Sequence, residues 1–222
     1  MTANKAYKGV AMEGLIATWY TKLTLKDLKR HKFMAARLVD TIPAGGGVLE
    51  IAPGPGYFCI ELARLGNFRI TGLDISKSFV EIARRNARVA NLAIDFRQGN
   101  VSAMPFEEAS FDFTFCQAAF KNFSQPVEAI AEMYRVLCPG GTAVIVDMRR
   151  DASPQEIEQE LKGMQLGRLD EWMTRITFNQ MLLKTAYSVA EMQEMIAQTP
   201  FGKGRIEASG IGFTIWLEKT VI

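Results

Sequence analysis

Between Val48 and Val146 short apolar runs alternate with segments of helical period, and that alternation constrains the fold more tightly than any other feature. Val48–Ala52, Phe68–Leu73, Ala93–Gln98, Phe111–Gln117 and Thr142–Val146 read as strands, most of them bounded by glycine, proline or polar turn residues. Helices fill the gaps: Phe58–Leu65, the stretch that Ser76 caps and that carries Val80, Ile82, Ala83, Ala87 and Val89, and Pro126–Leu137, which stops at Cys138-Pro139-Gly140-Gly141. Strands joined in this way by helices require right-handed crossovers, so the expected class is α/β, a doubly wound, mostly parallel sheet covered on both faces. Two helices should precede it. The first has Met12, Leu15, Ile16, Trp19, Tyr20 and Leu23 on one face, and the second runs from about Lys26 to Asp40. Residues 154–184 read as an interposed helical region, followed by a helix over 188–198 and a hairpin of Arg205–Ser209 with Ile211–Leu217.

The whole, residues 1–222, reads as one domain. It divides into an N-terminal helical lid (1–42), a ligand-binding core (43–149), a helical insertion (150–186) and a last helix with hairpin (187–222). With 48% apolar residues a chain of this length builds one sizeable core, and disorder is excluded as its dominant state. No apolar run is long enough to span a bilayer, and the first residues lack the pattern of a signal peptide. A net charge of +2 does not demand a nucleic acid or an anionic surface as partner. Three scattered cysteines without a CxxC suit a reducing, cytoplasmic setting, and a single histidine, His31, excludes a multi-histidine metal centre, so no metal is expected.

In a doubly wound sheet, ligands bind beyond the carboxyl ends of the strands. After strand one comes Glu50-Ile51-Ala52-Pro53-Gly54-Pro55-Gly56. A dinucleotide loop would need a third glycine where Cys59 stands, and a phosphate loop would need Gly-Lys-Ser/Thr, with no carboxylate so close. Asp74, eighteen residues after Gly56, closes strand two, where a carboxylate can accept bonds from both hydroxyls of a ribose or simply cap the next helix. Gly99-Asn100-Val101 follows strand three, with an amide oxygen suited to an exocyclic amine and an apolar neighbour for a base. Together these ends describe a pocket for adenine and ribose beside something other than pyrophosphate.

Val48–Gly56 (VLEIAPGPG), Ile70–Asp74 (ITGLD), Gly99–Phe106 (GNVSAMPF), Phe111–Phe123 and Arg135–Gly141 (RVLCPGG) stand in an order and spacing that resembles the class I S-adenosylmethionine-dependent methyltransferases. The similarity is greatest to the small-molecule branch that includes the ubiquinone and menaquinone biosynthesis C-methyltransferases, and it covers about residues 43–149. The resemblance implies a Rossmann-like sheet of seven strands with the last antiparallel. It implies S-adenosylmethionine as cofactor, S-adenosylhomocysteine as product and a small-molecule acceptor, which the Met- and aromatic-rich helices outside the core make apolar or aromatic. By the same resemblance Glu50, Ala52, Gly54 and Gly56 surround the methionine portion, Asp74 meets the ribose, Ile75 packs on adenine, Asn100 and Val101 meet its edge, and Gln117 lines the amino-acid end. Partners beyond the acceptor extend at most to a second copy of the chain, a homodimer, with no nucleic acid and no membrane span. Three positions depart from the pattern: Ala52 replaces the first glycine, Asn100 an acid, and Lys121-Asn122 the histidines many relatives carry after strand four. A non-catalytic binding module and a macromolecular methylase are the alternatives, although Cys116-Gln117-Ala118-Ala119 lacks the Asn-Pro-Pro-Tyr type of signature of amine methylases on nucleic acids.

Methyl transfer from a sulfonium needs alignment first, and a base only for a protonated acceptor. The candidate catalytic residues are Asp147, His31 and Tyr20. Asp147 at the end of strand five serves either as a base or as a loop acid paired with Arg149 or Arg150. His31 serves as a base or as a capping or exposed histidine. Tyr20, like Tyr187, meets substrate or packs as an aromatic. The run from Lys22 to Arg37 holds six basic residues against one acid and reads as a solvated helix face rather than a nucleic-acid arm. Met12, Trp19 and Tyr20 in front, with Met164, Leu169, Trp172, Met173, Ile176, Phe178 and Met181 behind, suggest an adaptable apolar lid or, equally, plain helix core.

Overall fold

Val48, Leu49 and Ile51 leave no polar face on the strand they form, β1 (Gly47–Ile51), and it is buried at every position. The structure, a computed structural model, describes residues 7–8, 12–163 and 185–221. Parallel to β1 run β2 (Arg69–Asp74) on one side and β4 (Phe111–Gln117) on the other. Outside these lie β3 (Asp95–Gln98), parallel to β2, and β5 (Leu137–Met148), parallel to β4. A hairpin of β6 (Arg205–Ser209) and β7 (Gly212–Glu218) completes a seven-stranded sheet of order β3-β2-β1-β4-β5-β7-β6, with β7 antiparallel to β5. This is the doubly wound, mostly parallel architecture expected from the alternating pattern. The order reverses between β1 and β4, which opens a crevice at their carboxyl ends.

Alternate residues of each strand feed opposite cores. Leu49, Ile51, Cys116, Ile145 and Ile215 pack with Ile130 and Met133 of α5 (Pro126–Val136) and with Met192 and Ile196 of α7 (Val189–Ala197). Val48, Ile70, Phe113, Phe115 and Val144 face the other way. There they meet Leu38 of α2 (Leu28–Leu38), Phe58 and Leu62 of α3 (Tyr57–Ala63), and Val80 and Ala83 of α4 (Lys77–Val89). Ser76 and Ser188 cap α4 and α7 through their side chains, the latter in a full capping box with Glu191.

Two expectations need correction. The strand expected over 142–146 already begins at Leu137, which pairs with Phe111. The chain passes through Cys138-Pro139-Gly140-Gly141 as an irregular bulge, with Gly140 in the left-handed region at φ 80°, and a register irregularity opposite Phe111–Phe113 absorbs the extra residues. The N-terminal helix α1 (Gly14–Thr24) turns a different face inward from the one its apolar spacing suggests. Ala17, with Met12 and Tyr20, meets Phe79 and Ile82 of α4, while Leu15 (88% exposed), Trp19 (63%) and Ile16 (42%) face outward. The cause is polar. The Glu13 carboxylate accepts from the amides of Lys77 and Ser78, and Ser78 Oγ accepts from the amide of Gly14, so the start of α1 is locked to the first turn of α4 and its roll is set there. Of the expected insertion, α6 (Pro154–Gly163) is seen; Met164, Leu169, Trp172, Met173, Ile176, Phe178 and Met181 lie outside the described residues.

Candidate active site

The crevice is built first by backbone. Ala52 leaves β1 at φ 54°, a left-handed conformation that glycine tolerates better, and its amide donates to Leu73 O at 2.8 Å. Gly54 follows at φ 53°. Among the described residues no atom lies within 4 Å of where its Cβ would stand, although the residue itself is buried. Gly56, at φ 78°, has the opposite constraint: a Cβ there would come within 2.8 Å of the Phe96 ring. At the end of β4, Ala118 repeats the left-handed turn at φ 56°, so two alanines bend the chain away at neighbouring strand ends.

Two carboxylates set the electrostatics. Asp74, 5% exposed, accepts from the Gly54 amide at 3.0 Å through Oδ2 and from the Ser76 amide at 2.9 Å through Oδ1, tying the β1 loop to the start of α4. Burial outweighs these bonds and lifts its pKa from 3.8 to about 6. Glu50 accepts from the amide of Cys59 at 3.1 Å and from its thiol at 2.8 Å, within the first turn of α3. Burial lifts it from 4.5 to about 7 against those bonds, with the Asp74 charge adding to the rise, and the Cys59 thiol is pushed well up by the same burial and by Glu50. Gln117, at the end of β4, keeps a buried Oε1 with no partner. Such an atom costs stability unless a donor reaches it.

The remaining nominated residues are distributed around this centre. Ile75 is 41% exposed beside Asp74, and Val101 is buried behind the loop after β3. Asn100 Oδ1 already accepts from the Ser102 amide at 3.0 Å, which shapes that loop and leaves one lone pair. The structure does not join Asp147, His31 and Tyr20 into one hydrogen-bonded group. Asp147 pairs with Lys121, whose Nζ lies 2.8 Å from Oδ1 and whose amide donates to Oδ2 at 3.1 Å, whereas Arg149 and Arg150 pair with Asp151, Glu156 and Glu191. His31 packs on the ring of Tyr57 at 5.8 Å; burial, then Arg30, lowers its pKa, and its Nδ1 is buried without a partner. Tyr20 stands edge-on to Phe79, its phenol raised by burial first and by Asp27, Asp147 and Asp74, so it is a donor rather than a base.

Sequence spacing could not anticipate how the N-terminal segment ties down. Ser76 Oγ donates to Met12 O at 2.6 Å on the β2 side. Beyond β4, Tyr7 bridges to Phe123, the Lys8 amide donates to Asn122 O, and Lys8 Nζ lies 2.7 Å from the hydroxyl of Tyr187. These anchors stand on either side of the β1 loop. The 3-10 turn Phe120–Asn122, held by Lys121, is thus gripped both by β5 and by the N-terminal segment. A buried ion pair between residues 26 positions apart has no local signal; only the replacement of the usual histidines marked Lys121.

Comparison with known proteins finds likenesses in sequence and in fold. Residues 49–145 match the family described as methyltransferase domain. The demethylmenaquinone methyltransferase of Deinococcus radiodurans is 38% identical over 107 residues, covering 48% of this chain and 44% of that protein. A Talaromyces variabilis protein named an S-adenosyl-L-methionine-dependent Diels-Alderase is 37% identical over 141 residues, 60% of this chain and 46% of its own length. The chain spans about half the length of the curated relatives it matches. A solved structure from Methanococcus maripaludis, titled a putative S-adenosyl-L-methionine-dependent methyltransferase, superposes with a TM-score of 0.76 at 23% identity, covering 100% of this chain and 98% of that one.

Proposed function

We propose that the protein, whose residues 49–145 match the methyltransferase domain family, is a class I methyltransferase that transfers a methyl group from S-adenosylmethionine to a small organic acceptor, apolar or aromatic and of quinol type, leaving S-adenosylhomocysteine. The observation that carries the reading is the crevice between β1 and β4: open space over Gly54, an unpartnered Gln117 Oε1 and a two-handed Asp74 around one loop. Those residues fit the cofactor chemically. A carboxylate offers about four lone-pair sites, so Asp74 keeps two for ribose hydroxyls after serving the Gly54 and Ser76 amides. Ile75 supplies an exposed apolar platform for adenine, with Val101 and Asn100 at its edge. Gln117 Oε1 accepts from the ammonium of the methionine portion, and Glu50, by fixing the first turn of α3, holds Ala52, Gly54 and Gly56 in place.

When bound, S-adenosylmethionine supplies a methyl group already activated on a sulfonium. The chain's own task is to align the acceptor and exclude water, worth ~7–11 kcal/mol of barrier when geometry is right. Tyr20 and the turn held by Lys121–Asp147 would border the acceptor, with Asp147 fixing the turn rather than taking a proton. A phenol or quinol reacts as its anion, its hydroxyl proton passing to solvent before the acceptor enters, so Asp147, held by Lys121, is not required to take it. A cytoplasmic setting goes with this reading, as Cys59, Cys116 and Cys138 are all free thiols.

A second reading rests on that same engagement of Asp147 and on the Talaromyces relative: a cofactor-bound pocket that shapes a cycloaddition without transferring methyl. A labelled-methyl screen against quinols, phenols, amines and thiols separates the two. Label in product with stoichiometric S-adenosylhomocysteine supports transfer; product of unchanged mass with no label supports cyclisation.

A further inference from the structure

The outward face of the N-terminal helices is unused by the fold, and its chemistry is specific. Leu15, Trp19, Lys22, Lys29 and Phe33 recur at a period of 3.5 along α1, the 3-10 turn Leu25–Asp27 and α2, and all are exposed, Leu15 by 88%, Phe33 by 66% and Trp19 by 63%. Ile16 and Leu25 add 42% and 54% beside them, so five of the nine large apolar side chains exposed among the described residues fall within residues 15–33. Lys22, Lys29, Arg30 and Lys32 are exposed on the same stretch, and among the described residues none of them enters an ion pair; Asp27 is the one acid between Lys22 and Arg37. The nineteen residues from Leu15 to Phe33 make up about 27 Å of basic and apolar surface at a rise of about 1.5 Å per step.

We propose that this face docks on an anionic lipid surface, with Leu15, Trp19, Leu25 and Phe33 entering the boundary between headgroups and acyl chains and the lysines meeting lipid phosphates. Large apolar side chains interleaved with bare cations on a convex helical face suit a compliant bilayer, whereas a folded protein partner would need a matching concave groove. Among the described residues no helix is long and apolar enough to cross a membrane, so the association is peripheral. The same helices carry Tyr20, and Thr21 O accepts from the Tyr57 hydroxyl in the first turn of α3, so the docking face is the outer side of a wall of the crevice. The proposal stands on exposure and charge, independently of methyl transfer.

The test is flotation of the full chain with phosphatidylcholine vesicles, with and without about 30% phosphatidylglycerol. The chain should float with the anionic vesicles and be released by about 0.5 M salt. Two exposed double variants, Leu15→Ser with Trp19→Ser and Lys29→Glu with Lys32→Glu, should each weaken partitioning about tenfold or more while keeping the parent melting temperature. No flotation, or flotation that neither variant alters, would overturn the proposal. So would retention on polyglutamate without flotation, which points to an acidic protein, or a concentration-dependent dimer abolished by the first variant, which points to a second copy.

Discussion

Ala52 shows what one methyl does at a strand end. The resemblance marked it as standing where the family pattern has glycine, but only the structure shows that it sits at φ 54°. A left-handed alanine costs ~1–2 kcal/mol, partly offset by the extra chain entropy glycine loses on folding. Ala52→Gly should therefore stabilise the protein by about 0.5–1 kcal/mol in urea unfolding without weakening cofactor binding. Glu50 and Asp74 carry the pH dependence. Burial raises both pKa values, to about 7 and about 6, so each binds its proton more tightly folded than unfolded. Their contribution to stability is complete below the ordinary carboxylate range and is lost as pH rises through about 6 to 7. Unfolding free energy of the ligand-free protein should fall between pH 5 and pH 8 by roughly 2 kcal/mol or more, and Glu50→Gln should flatten the upper part of that fall. The positions of Glu50 and Asp74 in β1 and β2, beside the carboxyl edge of the sheet, were legible from the strand pattern. Their internal bonds to Cys59, Gly54 and Ser76 were not, because those depend on how tightly the loop folds back.

At the scale of elements, the turn after β4 depends on a buried charge pair. Lys121 and Asp147 are 7% and 5% exposed, and Lys121 Nζ also donates to Ala118 O at 3.1 Å. Removing one partner strands the other, so Lys121→Met or Asp147→Asn alone should cost about 3–5 kcal/mol, whereas the two together should cost far less than the sum. Chemical unfolding of the two singles and the double gives the coupling energy. Strands β1, β2 and β4 were readable because each is an apolar run with a turn signal at its end. The start of β5 was not, because Pro139-Gly140-Gly141 breaks isolated strands and only the pairing of Leu137 with Phe111 carries the chain through it. The facing of α1 failed for a different reason. Periodicity identifies an apolar stripe but says nothing of whether a partner covers it, and here Glu13 and Gly14 lock the helix with Ala17 and Tyr20 inward.

Over the whole molecule, a seven-stranded sheet brings four strand ends together, and the segment that begins the chain is tied on both sides of them, at Ser76 and at Asn122–Phe123. The fold follows from the alternation of strands and helices along the chain; the acceptor does not, because nothing in the strand pattern specifies what stands over the carboxyl edge of the sheet. Calorimetric titration with S-adenosylmethionine and, separately, NAD, on the parent chain and on Asp74→Ala, addresses the central claim most directly. The account predicts one site for S-adenosylmethionine, none for NAD, and at least about tenfold weaker binding in the variant. Equal affinity of variant and parent, or binding of NAD in place of the sulfonium, would contradict it.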